Sequence, residues 1–111
     1  MTDKELADRV VALGVGNRGK FVDKSLRETG EASYFPPGGD WGMPAETFIG
    51  SPRVAMALME QCQQVNCWRE DDGRHSARAW KLMELDGHDS ENQDSRARAI
   101  IEACVKALEA R

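Results

Sequence analysis

Apolar residues recur at helical spacing near the start of the chain. Thr2 is a suitable N-cap, and Glu5 follows three residues later, as in a capping box. We therefore predict a helix from Thr2 to Leu13, which the glycines Gly14 and Gly16 end. The apolar stripe of this helix consists of Leu6, Val10 and Leu13.

Two further segments are amphipathic at the same spacing. Ser51-Pro52 places an N-cap before a proline at the first helical position, which predicts a helix to about Gln64. Asp94 or Ser95 caps a final helix that runs to about Ala110. The two apolar stripes consist of Val54, Ala55, Leu58, Met59 and Cys62, and of Ala97, Ile100, Ile101, Cys104, Val105 and Leu108.

A hairpin is predicted between these two helices. Asp72-Gly73 is a strong turn signal, so we pair strands near Cys67–Glu70 and Ala77–Leu85. Trp68 and Trp80 are the expected aromatic anchors of the pair. A helix through residues 77–85 is the alternative, because most residue types in that segment favour helices.

The remaining segments complete an α+β domain. Residues 16–35 contain short β-prone pieces, which predict a weak hairpin or two extended segments. The polar stretch Asp86–Ser95 has no apolar residue and predicts a loop. The chain has 111 residues, which indicates a single domain, residues 1–111, of three main helices packed on a small antiparallel sheet.

The segment Tyr34–Gly50, called the aromatic loop below, departs from this pattern. It concentrates aromatic residues, prolines and glycines in a chain that is 31% charged, and Pro36-Pro37 excludes a central strand. One interpretation is a lid over one end of the sheet, because large apolar residues are usually buried. The other is a rigid recognition surface, because exposed aromatic residues mark interfaces. The lid would have Tyr34, Phe35, Trp41 and Phe48 pointing inward. Because Asp40 and Gly42 flank Trp41, the backbone can turn sharply and push the indole outward, so we predict that Trp41 is more exposed than Phe48.

A binding surface at this loop would include residues near the first turn. The stretch Gly14–Gly19 is glycine-rich, but it follows a predicted helix, so the strand–turn–helix context of a dinucleotide site is missing. Basic residues beside those glycines can still hold a phosphate. The candidate surface residues are Tyr34, Phe35, Asp40, Trp41, Arg18 and Lys20.

Composition and charge exclude several classes of protein. The net charge is −4 with both signs interspersed, which argues against nucleic-acid binding. No apolar run is long enough to cross a membrane, and the acidic, helical start is unlike a signal peptide, so we expect a cytoplasmic protein. Three cysteines, an odd number in such a chain, predict reduced structural thiols.

No constellation of catalytic or metal-binding residues stands out in the sequence. The spacing of Cys62 and Cys67 is wider than a zinc knuckle, and His75 and His88 lie in predicted turns or loops, so we expect no metal or cofactor. Asp86, His88 and Asp89 sit in a polar segment that offers no desolvation for acid–base catalysis. We therefore expect a protein that is not an enzyme.

Three segments together resemble the phage ABA sandwich domain family of small phage and prophage proteins. They are Ser51–Glu60 ("SPRVAMALME"), the tryptophan-bearing hairpin, and Arg96–Ala110 ("RARAIIEACVKALEA"). The helical start and Ala45–Phe48 fit the same pattern, so the resemblance covers most of the chain. It implies an α/β/α sandwich-like arrangement and a phage or prophage origin, and it implies no catalytic or binding residue.

These observations together lead to one expected function and one alternative. We expect a phage or prophage accessory protein that acts as a non-enzymatic binding module for a host or phage protein, with homo-oligomers possible. The alternative is a protein that binds or sequesters a small, nucleotide-like ligand. In that case Trp41 or Trp68 would stack on the ligand, while Arg18, Lys20 or Arg53 would bind its phosphate.

Overall fold

The computed structural model describes residues 2–22, 28–39, 41–91 and 93–110, without the side chains of residues 20–22 and 28–31. The architecture is α+β, as predicted, with three longer helices, one single-turn helix and two small antiparallel sheets. The elements in chain order are α1 (Asp3–Ala12), β1 (Asn17–Val22), β2 (Glu28–Phe35), α2 (Ala45–Phe48), α3 (Pro52–Met59), β3 (Gln64–Arg69), β4 (His75–Trp80), β5 (His88–Asp89) and α4 (Arg96–Glu109).

The N-terminal half begins as the sequence predicts. The hydroxyl of Thr2 accepts a hydrogen bond of 3.2 Å from the backbone N–H of Glu5, which satisfies one of the free donors of the first turn. Gly14 follows the helix with a φ of +85°, the left-handed conformation that ends many helices. Strands β1 and β2 then pair antiparallel, with Arg18 opposite Tyr34. The predicted hairpin is therefore confirmed.

Helix α3 ends earlier than predicted. It stops at Met59 instead of continuing to about Gln64, because β3 already begins at Gln64 and the chain must reverse direction first. The backbone N–H groups of Gln61 and Cys62 bond back to carbonyls of Leu58 and Met59 in this turn. Cys62 is consequently half-buried in the turn, and its predicted place on the helix was wrong.

The predicted hairpin forms, so the alternative of a helix through residues 77–85 was wrong. Glu70 donates from its N–H to the carbonyl of Arg74 at 2.8 Å, and Gly73 adopts a φ of +84° in the loop between them. The second strand ends at Trp80 and does not reach Leu85. Met83 has a φ of 70°, which is incompatible with a continuing strand.

The prediction of a plain loop over Asp86–Ser95 was also wrong. This segment contributes β5, and Gln93 forms a further bridge to His75 with hydrogen bonds of 2.6 and 2.7 Å. Gln93 is buried because its amide donates to the carboxylate of Glu102 on α4 at 2.5 Å. The same carboxylate accepts the N–H of Glu91 at 2.7 Å, so one buried acid on α4 fastens the segment.

Helix α4 forms the centre of the fold. It packs on one face of the β3-β4-β5 sheet, where Ala77 and Ala79 of β4 are fully buried, and it also packs against α1 and α3. Small side chains on both sides let a helix approach a sheet closely. The buried residues of α4 are Ala99, Ile100, Ile101, Glu102, Ala103, Cys104, Val105 and Ala107.

Ion pairs connect the first and last helices. Arg9 of α1 pairs with Glu109 of α4, and Asp3 of α1 pairs with Arg98 of α4. The two pairs join positions that are 100 and 95 residues apart in the chain. None of the described helices is long and apolar enough to cross a membrane.

Candidate functional site

The aromatic loop has a constrained backbone. Tyr34 and Met43 form an antiparallel bridge in which each N–H donates to the other residue's carbonyl at 2.8 Å. Between them, the N–H of Gly39 bonds to the carbonyl of Pro36 at 2.9 Å, and Gly38 has a φ of +70°. Proline followed by a left-handed glycine at the centre of a turn is typical of a type II turn. The loop is therefore fixed at its base and at its tip.

The inner side of the loop is part of the core. Phe48 is fully buried and Tyr34 is 1% exposed, and their ring centroids are 5.3 Å apart. Gly42 lies against β2 so closely that a Cβ there would be 1.9 Å from the hydroxyl oxygen of Ser33. A side chain at position 42 would clash with Ser33 and Phe35, so glycine lets the loop lie close to the strand. Tyr34 and Phe48 therefore pack inward, as the lid interpretation expects of them.

The outer side of the loop carries Trp41, which is 84% exposed. The prediction that Trp41 is more exposed than Phe48 is therefore confirmed. Trp41 immediately precedes Gly42, whose backbone is pressed onto β2, so its position depends on an anchored neighbour. The loop thus combines a buried base with one large aromatic side chain in solvent.

Tyr34 has a structural role, because it connects the base of the aromatic loop to α1. Its hydroxyl donates to Oδ1 of Asp8 at 2.6 Å, and Nη1 of Arg18 lies 3.2 Å from the same oxygen. The guanidinium carbon of Arg18 is 6.0 Å from the centroid of the Tyr34 ring. Burial, together with the hydrogen bond to Asp8, raises the pKa of Tyr34 to about 12. The assignment of Tyr34 to an exposed surface is corrected here, because a residue this buried contacts no partner directly.

The other candidate residues differ in what the structure says of them. Phe35 is half-buried beside Gly42. Arg18 is half-exposed, but its charge is already paired with Asp8. Asp40 and the side chain of Lys20 lie outside the described residues. Of the residues named from the sequence, Trp41 is therefore the most exposed of those described.

A shallow groove of about 450 Å³, called the loop groove below, lies between the tip of the aromatic loop and α3. The most exposed apolar residue of the groove is Met56, which is 63% exposed and was not predicted from the sequence. The available signal was that Met56 is an apolar residue outside the apolar stripe of α3. The lining residues are Pro37, Arg53, Met56, Ala57 and Glu60.

A second group of exposed apolar residues follows β4. Leu82, Met83 and Leu85 are 67%, 88% and 97% exposed. The nearby open face of the sheet carries Arg78, whose guanidinium is 6.0 Å from the Trp80 ring and bonds Asp89 at 2.5 and 2.8 Å. This hydrogen-bonded ion pair lowers the pKa of Asp89 and raises that of Arg78. Arg78 and Asp89 therefore neutralise each other's charge on this face.

The described residues offer little for catalysis. His88 lies 3.4 Å from Glu84 at a shallow pocket that also includes Leu85, Asp86 and Ala110, and no described serine, threonine, cysteine or lysine lines it. Cys62 and Cys104 form a hydrogen-bonded thiol pair, in which the bond to Cys62 and burial both raise the pKa of Cys104. Within the described ranges, no three histidine, cysteine, aspartate or glutamate side chains could hold a metal ion.

The chain was compared with protein families, curated proteins and solved structures. No protein family, no curated protein and no solved structure matches the chain. The resemblance to the phage ABA sandwich domain family therefore stays a prediction. The candidate site rests on the constrained aromatic loop, its exposed tryptophan and the neighbouring loop groove.

Proposed function

We propose that this protein is a non-enzymatic binding module that binds a protein partner through Trp41 and the loop groove. The observation that carries the proposal is an indole that is 84% exposed on a loop closed by two hydrogen bonds of 2.8 Å. A large aromatic side chain on a rigid backbone provides contact area and loses little conformational entropy on binding. Tryptophan is also among the residue types most enriched at binding hot spots.

The loop groove supports a protein partner over a small ligand. It is open, and its lining combines the apolar residues Pro37, Met56 and Ala57 with the oppositely charged Arg53 and Glu60. An apolar centre with a charged rim is the usual composition of a protein interface. A protein surface could cover the groove and Trp41 together.

A nucleotide-like ligand remains the alternative proposal, and the groove volume is within the range of ligand sites. Among the described residues, Arg53 is the one cationic side chain that lines this groove, and none of them that lines it is aromatic. Arg18, the other described cation named for phosphate, is paired with Asp8. These contacts favour the protein partner.

Phage or prophage origin and action in the cytoplasm of the host cell belong to the same proposal. Their support is the resemblance of Ser51–Glu60 and Arg96–Ala110 to small phage proteins. A partner encoded by the phage or by its bacterial host is therefore the class of protein to test first.

Trp41→Ala tests the proposed function. Because the indole is mostly in solvent, we expect the free energy of unfolding to change by less than about 0.5 kcal/mol. Partners captured from a lysate of host bacteria with the wild-type protein would be purified and titrated by calorimetry. We expect Trp41→Ala to weaken binding by about 2 kcal/mol or more, as for an aromatic hot spot.

Leu85→Ala is the matched control, because Leu85 is 97% exposed on a different loop. It should leave both stability and partner affinity unchanged. Equal binding by wild type and Trp41→Ala, with both folded, contradicts the proposal. A rise in melting temperature with a nucleotide mixture, lost in Arg53→Ala, would favour the small-ligand alternative instead.

A further inference from the structure

Strand β3 is an edge strand with an uninterrupted hydrogen-bonding pattern. The order of the sheet is β3-β4-β5, and all six residues of β3 pair with β4 without a register shift, from Gln64 opposite Trp80 to Arg69 opposite His75. Proteins usually protect an exposed edge with a proline, a lysine or a bulge. β3 has no proline, lysine or bulge, and its one charged residue, Arg69, is the last residue of the strand.

The register shows which main-chain groups of β3 point away from the sheet. Glu70 and Arg74 form a hydrogen-bonded pair at the turn, and hydrogen-bonded pairs alternate along an antiparallel ladder. Asn66 and its even-numbered neighbours therefore bond to β4. The odd-numbered residues Val65, Cys67 and Arg69 direct N–H and C=O outward, and within the described ranges no hydrogen bond to these groups is formed.

The side chains of β3 are also incompletely covered at this edge of the sheet. Val65 and Cys67 lie on the face that α4 covers, but Val65 is only half-buried and Cys67 is exposed, because α4 packs mainly beneath β4. On the opposite face Trp68 is 42% exposed. Both faces could therefore continue across the edge if another strand were added.

We propose that β3 pairs antiparallel with β3 of a second copy of this chain, with the two-fold axis at Asn66. Val65 then lies opposite Cys67 of the second copy, and the reverse, with both main-chain hydrogen bonds formed in each pair. On the open face Trp68 covers Gln64 of the second copy. The result is a continuous six-stranded sheet, twice the three strands of one chain.

The residues of β3 are compatible with those of a second β3 placed by this two-fold axis. A two-fold interface brings each residue opposite a counterpart on the same surface, so like charges near the axis would repel. The single charge of β3, on Arg69, instead lies opposite the neutral Gln63 of the second copy. An axis at Cys67 would place Arg69 opposite the aliphatic Val65, which makes the Asn66 axis the better match.

Disulfide cross-linking tests the position of the axis. In a Cys67→Val background, Asn66→Cys puts a cysteine on the axis in a non-hydrogen-bonded pair, where Cα atoms are about 4.5 Å apart. Gln64→Cys in the same background is the control. Position 64 lies on the same face of the sheet as position 66. Position 64 of the second copy is four residues along the strand from the residue opposite, so the two cysteines would be roughly 14 Å apart.

After oxidation with glutathione disulfide, we expect Asn66→Cys to give a covalent dimer on a non-reducing gel. Gln64→Cys should stay a single chain. Equal cross-linking of the two variants, or none with Asn66→Cys, would overturn the proposed pairing.

Light scattering tests the dimer without cross-links. A proline at position 67 removes an outward N–H and leaves the bonds to β4 intact. We expect wild type and Cys67→Val to approach twice the chain mass of 12.3 kDa as concentration rises, and Cys67→Pro to stay at 12.3 kDa. A wild-type protein that keeps the single-chain mass at every concentration overturns the proposal. If Cys67→Pro does not fold, the cysteine variants still decide.

Discussion

The contact between Tyr34 and Asp8 makes stability depend on alkaline pH. Tyr34 is the single tyrosine of the chain, it is 1% exposed, and it donates to Asp8 at 2.6 Å. Its pKa is raised from 10.0 to about 12, first by burial and then by the hydrogen bond. Between these two pH values the unfolded chain ionises this hydroxyl and the folded chain keeps its proton.

The size of the effect follows from that difference. A difference of about two units between the pKa values of the folded and unfolded states corresponds to about 3 kcal/mol of unfolding free energy. This contribution is fully present below pH 10, where both states are protonated, and it is lost as the pH rises through about 12. The ring of Tyr34 is buried, but Asp8 and the neighbouring Arg18 are partly exposed, so solvent screening makes about 3 kcal/mol an upper value.

Tyr34→Phe removes the hydroxyl and keeps the ring. At neutral pH we expect it to cost about 1.5–3 kcal/mol, the usual range for a hydrogen bond to a charged acceptor. Asp8 keeps its ion pair with Arg18, which favours the lower end of that range. Phenylalanine cannot ionise, so wild type should lose about 2 kcal/mol of unfolding free energy relative to the variant between pH 10 and pH 12.

Urea denaturation of both proteins at a series of alkaline pH values measures this difference. Titration of lysine and cysteine side chains affects both proteins alike and cancels. Ultraviolet absorbance of the tyrosinate reports Tyr34 alone, with an expected midpoint near 12 in the native protein and near 10 in urea. A native midpoint near 10, or two stability curves that stay parallel, would refute the proposed role of the Asp8 contact.

Two further substitutions test the core and the first turn. Ile100→Ala should lower the free energy of unfolding by about 2–5 kcal/mol, because Ile100 is 7% exposed on α4, and a change below about 0.5 kcal/mol would contradict its core position. Gly16→Ala should cost about 1–3 kcal/mol more than Gly14→Ala in the same denaturation assay. Both glycines have positive φ, but a Cβ at Gly16 would lie 2.5 Å from the carbonyl oxygen of Phe35, whereas Gly14 faces open space, so equal costs would show that the close contact relaxes.

The sequence predicts best where neighbouring residues determine the structure. The first residues of α1 and α4 are predictable from their N-caps, Thr2 and Ser95. The side chains of these N-caps accept hydrogen bonds from the backbone N–H groups three residues further on. The hairpin after β3 follows from Gly73, which takes the left-handed conformation that its turn needs. In each case the signal and the structure lie within one turn of the chain.

The predictions fail where distant residues decide. β5 and the burial of Gln93 depend on Glu102, which no local pattern connects to a polar stretch. The burial of Tyr34 depends in the same way on Asp8 from α1 and Phe48 from α2. For the candidate site, the loop and the exposure of Trp41 were predictable, whereas the groove with Met56 required the position of the loop beside α3.

The ion pairs between α1 and α4 affect how the chain folds during its synthesis. The ribosome makes Arg9 long before Glu109, because 100 residues separate them. A ten-residue helix such as α1 is marginal in water on its own, so it cannot wait in a stable folded form. Leu6 and Val10, fully buried in the finished protein, therefore stay accessible on the nascent chain until the later elements that pack on α1, including α2 and α4, have emerged. We expect a chaperone that acts at the ribosome to bind these two residues during that interval.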